Sequence, residues 1–247
     1  MQRTRSRFYL GMTLVLAAIV LTGFMPTLFG RALFNVPKMP GHLYLHGIVL
    51  AGWFALLVTQ ASLVGRQLAV HRKLGWAAVG FAILIPVVGM ATQLAMPDRI
   101  RSTGADLAPF VELIETVFWL NLVASLQFAG FVTAAICLRK HSESHKRLML
   151  LASIAIIQPA AARLSRWPIF GNTATDLAQP ASTGNDVKFA LGAVVLLIVA
   201  MVVNDLRTRQ RLHRVTLIGT VILMGTVMLA PAIAKSEWAK TLVWAVS

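Results

Sequence analysis

Apolar residues in this chain come in long uninterrupted runs rather than in the alternating or one-in-three patterns of soluble strands and helices. Seven runs lie near 9–31, 42–64, 74–96, 109–137, 148–167, 187–204 and 215–234, each close to the ~20 residues with which a helix crosses the hydrocarbon core of a bilayer. The pattern predicts an all-α polytopic bundle of seven transmembrane helices. It forms one membrane domain over 1–247, because no segment between the runs is long enough to bury a core of its own. The fourth run exceeds what spanning needs, so it should tilt or project beyond one face. Pro86, Pro159 and Pro231 fall within runs and predict kinks. Small residues such as Gly47, Gly52 and Ala160 to Ala162 suit close helix packing.

The polar segments set the orientation. Of 23 Lys and Arg residues, 14 fall at the N-terminus and in alternate connections, around Arg66 to Lys73, Arg139 to Arg147 and Arg207 to Arg214. Nine fall on the other side, and Glu143 and Asp205 are the only acids on the basic side. By the positive-inside rule the N-terminus is cytoplasmic and the C-terminus lies outside. Arg3, Arg5 and Arg7 before an apolar stretch resemble a signal peptide, but that stretch is too long and no small-residue cleavage site follows it, so it reads as an uncleaved first span. The connection near 168–186, rich in Pro, Gly, Thr, Ser and Asn, is long enough for a lid or a mobile loop. The tail from Lys235 to Ser247, with Trp238 and Trp244, predicts a short amphipathic helix along the outer interface.

Composition agrees with the runs. The chain is 57% hydrophobic and 13% charged, with a mean hydropathy of +0.72, unlike a soluble domain. A formal charge of +14 would suggest nucleic acid had the basic residues gathered on one face, but they cluster between spans, so the bilayer is the partner and nucleic acid is not. A single cysteine, Cys137, excludes an internal disulfide and a multi-cysteine metal site, and reads as a small core residue.

Ionisable side chains inside spans cost at least ~2.5 kcal/mol each and normally face a protein interior. His42 and His46 open the second run and Glu112 and Glu115 the fourth, while Arg163 and Arg166 close the fifth, so all six are expected at one depth near the outer leaflet. Each pair projects from one helix face. Trp53 and Gln60 continue the His46 stripe inward, and Trp119 continues that of Glu112. Three readings fit. A transition metal would be held by His42, His46, Glu112 and Glu115, since imidazole and carboxylate at helical spacing suit iron, zinc, manganese or copper. A small-molecule or quinone-type pocket would use Arg163 and Arg166 with Trp53, Gln60 and Trp119, and a histidine or glutamate would exchange protons. In the third reading the charges pair with one another and have no ligand. His46, one turn deeper than His42, is expected to matter more.

On the basic side His71, His141, His145 and His213 sit among Arg and Lys at helix starts, where imidazoles bond to carbonyls or lipid phosphate. Haem needs imidazoles facing each other from different helices; His71 and His145 could do this only near the surface, so haem fits less well than a metal ion. The stretch His46-Gly47, Gln60, Arg66, His71-Arg72-Lys73-Leu74-Gly75, followed by His145-Lys146-Arg147-Leu148-Met149 and Arg163, resembles an uncharacterised family of bacterial membrane proteins with His-Arg-x-Leu-Gly and His-Arg-x-Met signatures. The resemblance covers roughly 42–166 and implies a multi-pass protein of the bacterial inner membrane. Trp76 stands where that family has Tyr. The four-helix layout is loosely similar to cytochrome b561-type electron-transfer proteins. No nucleophile elbow, phosphate-cradling Gly loop or His-Glu-x-x-His helix occurs, and no pore repeat. The functions left are metal handling or redox chemistry, small-ligand binding or carriage, and a non-catalytic subunit or assembly factor of a membrane complex. Whether a reaction is catalysed is not legible.

Overall fold

The computed structural model of the chain describes residues 2–36, 39–102, 104–167, 169 and 184–246. Among them every regular element is helical. Helix α1, Gln2–Phe24, runs into a π-helical turn, Met25–Phe29, and a single turn α2, Arg31–Phe34. Then come α3, Gly41–Leu63; α4, Leu68–Leu94; α5, Met96–Arg101; α6, Val111–Cys137; α7, Ser142–Ala155; and α8, Gln158–Leu164. The chain closes with α9, Gly184–Arg209; α10, Arg214–Ala234; and α11, Glu237–Val246. Among the described residues six helices are long and apolar enough to cross a membrane, or seven if α7 and α8, bent by 54° at their junction, are counted as one span. The protein is an all-α, multi-pass membrane bundle. The connection expected near 168–186 falls largely outside the described residues.

The fifth span is broken where it was expected only to kink. Pro159 has no amide hydrogen, and its ring collides with the carbonyl of the residue four positions earlier. That residue is Ala155, where α7 ends. Helices α4 and α10, by contrast, continue through Pro86 and Pro231. The broken span is also the axis of the bundle: Leu150, Leu151, Ile154, Ala155, Ile157 and Ala161 are fully enclosed. Its alanines let neighbours approach closely. A β-carbon on Gly23 of α1 would lie 2.2 Å from the carbonyl oxygen of Ala160, so only glycine fits there. At the perimeter, α4 leaves Trp76, Ile83 and Val87 exposed, as a lipid-facing span does.

Helix α6, at 27 residues, is roughly 40 Å long by the helical rise, against a core of about 30 Å. Its excess lies at the end remote from the N-terminus, where α11 packs on it. There Ile114, Phe118 and Trp119 form a second core with Ala234, Ala239 and Val243. The amphipathic tail is therefore docked on α6 through its buried face. Cys137, at the other end of α6, is exposed and is not a core residue.

Candidate functional site

Helix α3 presents His46, Trp53 and Gln60 inward on one stripe, as its register requires, while His42 at its first turn is exposed. Trp53 is a structural brace. It donates from Nε1 to Ser153 Oγ at 3.1 Å and sets its ring edge on Phe128 with centroids 4.9 Å apart, joining α3, α6 and α7. The Gln60 carbonyl bonds His71 Nδ1 at 3.2 Å, and its side-chain oxygen is buried without a partner.

His46 leans on α4 at Gly89. A β-carbon there would stand 3.7 Å from His46 Cε1 and 4.0 Å from Ser125 Oγ of α6. His46 and Ser125 are thus at one level. Glu115 lies ten residues before Ser125 on α6, about 15 Å further out at 1.5 Å per residue, and Glu112 about 20 Å out. The expectation of a common depth fails here, because α6 projects beyond the ends of its neighbours. Glu115, 5% exposed, accepts a hydrogen bond from Trp244 Nε1 at 2.9 Å, and Glu112 is exposed. Trp119 packs edge-on against Trp238, with centroids 5.3 Å apart. The glutamate stripe therefore faces the C-terminal helix and leaves the histidines. Among the described residues no three His, Cys, Asp or Glu gather where a metal could be held.

The two outer arginines part company. Arg166 grips Asp186 of α9, Nη2 to Oδ2 at 2.6 Å and Nε to Oδ1 at 3.1 Å, and Ser165 Oγ donates to the same carboxylate. It is a strut between the end of α8 and α9. Among the described residues Arg163 has no such partner. Its Nη1 donates to the Pro159 carbonyl at 3.0 Å, and its guanidinium carbon lies 4.8 Å from the Phe24 ring centroid. The charges that act on it are Arg166, Arg99 and Asp186, and it in turn acts on His46. Because Asp186 is engaged by Arg166, positive charge around Arg163 is in excess among the described residues. Arg99 on α5 adds to that excess, and burial pushes its guanidinium below the usual arginine range. One turn beyond Gly89 on α4, the buried side-chain oxygen of Gln93 has no partner among the described residues, and neither has Nδ1 of His46. Unsatisfied buried polar atoms are uncommon and call for an explanation.

The structure thus sets His46 level with Ser125 at Gly89, one turn from Gln93, with Arg163 near enough for its charge to act on His46 and Arg99 near enough to act on Arg163. Gln93 was visible as a lone polar residue late in an apolar run, and Arg99 as a cation just past its end; neither offers the paired spacing that marked the histidines. A guanidinium that lacks a counter-charge among the described residues, close enough to act on an imidazole whose Nδ1 has no partner there, can hold an anion or a polarised carbonyl and exchange a proton with it.

At the N-terminal face the buried charges Arg147 and Asp205 are paired. Arg147 bonds the carboxylates of Asp205 and Glu143, and Asp205 also accepts from Thr216 Oγ1 at 2.6 Å and His213 N at 3.1 Å. Lys146 lies over the Tyr9 ring at 4.4 Å. His145 Nδ1 pairs with the Ala135 carbonyl at 2.8 Å, and His213 Nδ1 accepts from Val215 N at 3.1 Å, capping α10. His71 and His145 thus bond to backbone carbonyls, as expected of interfacial imidazoles, whereas His213 accepts from a backbone amide instead.

No protein-family model, curated protein or solved structure matches this chain.

Proposed function

We propose that the chain is a multi-pass protein of a bacterial inner membrane, with its N-terminus in the cytoplasm, that binds a small molecule bearing an anionic or quinone-type carbonyl head between Arg163 and His46. One observation carries the reading: among the described residues Arg163, half-buried between helices, has no carboxylate of its own, the nearby Asp186 being taken by Arg166. A charge buried unpaired is costly and persists where it does work. The ligand head supplies the missing negative potential, and the unpartnered His46 nitrogen supplies or accepts a proton. Trp53 and Arg166 then shape the site from outside it.

Purified protein in detergent tests this with two probes, a short-chain ubiquinone and inorganic phosphate. A ligand at one hundred times its Kd stabilises by about 2.7 kcal/mol. One probe is expected to raise the apparent Tm of the wild type and leave Arg163→Gln unmoved, and solvent extracts of the wild type should hold an acidic or carbonyl compound that the variant lacks. No shift with either probe, together with identical extracts, would refute the reading.

A further inference from the structure

A second feature, independent of Arg163, lies on the membrane side of α1 and α3. Tyr44, Ile48, Ala51 and Ala55 follow one another at spacings of three and four residues, so they form a single stripe along α3. The stripe is bulky near its outer end and small further in, where Gly52 joins it. The facing wall is the π-helical turn that ends α1. Leu28 of that turn reaches into α3 because Gly47 has no side chain; a β-carbon there would lie 2.6 Å from Leu28 Cδ2. Between wall and stripe is a groove of about 620 Å³. It is open to the bilayer along its side, with Ile48 64% and Phe29 43% exposed. From Tyr44 to Ala55 it runs about 17 Å at 1.5 Å per residue, roughly half the ~30 Å hydrocarbon core. That is the depth of one leaflet.

The outer end of the groove is charged. Arg31 on α2 holds its guanidinium 5.4 Å from the Tyr44 ring centroid. Among the described residues its polar partners are two backbone carbonyls, Thr27 and Val36, each at 3.3 Å. Neither neutralises it. A cation at headgroup level above an apolar channel one leaflet deep matches a particular amphiphile. We infer that this groove binds an anionic phospholipid of the outer leaflet, its phosphate on Arg31 and one acyl chain lying along Ile48, Ala51 and Ala55. A zwitterionic lipid fits less well, because its ammonium group would meet Arg31 with no carboxylate among the described residues to offset the repulsion.

The full chain in nanodiscs of phosphatidylcholine with a minor share of phosphatidylglycerol provides the test, with retained lipids weighed by native mass spectrometry. The wild type should retain phosphatidylglycerol over phosphatidylcholine about fivefold beyond their ratio in the disc, the factor that ~1 kcal/mol per basic residue gives. Arg31→Gln should bring that preference close to one. Ala55→Leu, which fills the groove without touching the charge, should lower retention of both lipids. Retention that simply follows disc composition, or a preference unchanged in Arg31→Gln, would overturn the proposal. Arg163→Gln should leave the preference intact, which separates this site from the one proposed above.

Discussion

Changing Asp205 to Asn should unfasten the N-terminal face of the bundle. Arg147 is 2% and Asp205 1% exposed, so neither can turn to water when the other is lost. Both oxygens of Asp205 are acceptors: one faces Arg147, and the other takes the Thr216 hydroxyl and the His213 amide. An asparagine must aim its NH₂ at one of these sets of donors, leaving a donor opposed to a donor whichever way it turns. Breaking a buried ion pair by removing one partner costs about 3–5 kcal/mol. Glu143 still bonds Arg147 Nη1 at 2.6 Å, so the loss should sit near the lower figure. At ~2–4 °C per kcal/mol for a chain of this size, the apparent Tm should fall by roughly 6–12 °C. The assay is thermal unfolding in detergent, read by loss of monodisperse protein. A double-mutant cycle with Arg147→Met should show coupling of up to ~3 kcal/mol, since residues in direct contact are not additive. A variant within ~1 °C of the wild type, or additive single changes, would show that the clasp does not hold α7 to α9 as argued.

Two further outcomes follow from local geometry. Gly23→Ala should destabilise by ~1–3 kcal/mol or more, because the added carbon meets the Ala160 backbone. Gly11→Ala on the same helix, with open space around it, should be neutral or slightly stabilising, and apparent Tm values of the two variants check the contrast. His213 is held below the ordinary histidine range first by burial and then by Arg147 and Arg209. The unfolded chain therefore takes its proton first: the contribution of the neutral cap is complete above about pH 6.5 and is lost as pH falls through the lower folded value. Apparent Tm followed from about pH 7.5 to 5 should drop less in His213→Asn, which caps α10 without titrating; parallel curves would exclude this role.

The spans were legible because lipid demands long apolar helices, and that demand is written residue by residue. Their number, the length of α6 and the amphipathic tail all follow from it. What the sequence hid was relative height. Counting from the start of each apolar run placed Glu115 level with His46, yet a helix that projects past its neighbours shifts its whole register, and only the Gly89 contact with His46 and Ser125 reveals the offset. Partner choice was hidden in the same way. Arg147 and Asp205 read as loop charges that set topology, and Arg166 read as a ligand contact, because nothing in one dimension shows that α9 carries an aspartate at each end. Asp186 and Asp205 are nineteen residues apart, about 28 Å along a helix. That spacing, close to one bilayer core, was the signal available for a pair of struts. His46 and Arg163 stood out in the sequence because their cost in the membrane marks them individually.

The most direct test of the central claim is the stability of Arg163→Met after exhaustive detergent exchange, measured beside the wild type with and without the quinone and phosphate probes. If Arg163 is kept for a ligand, the empty protein carries a half-buried charge that no carboxylate among the described residues compensates, and methionine relieves it. Ligand-free Arg163→Met should then be more stable by at least ~1 kcal/mol, or roughly 2–4 °C in apparent Tm, while losing the stabilisation that a probe gives the wild type. A ligand-free Arg163→Met protein that melts below the wild type would contradict the account, and would make the contacts to Pro159 and Phe24 the reason that the arginine is there.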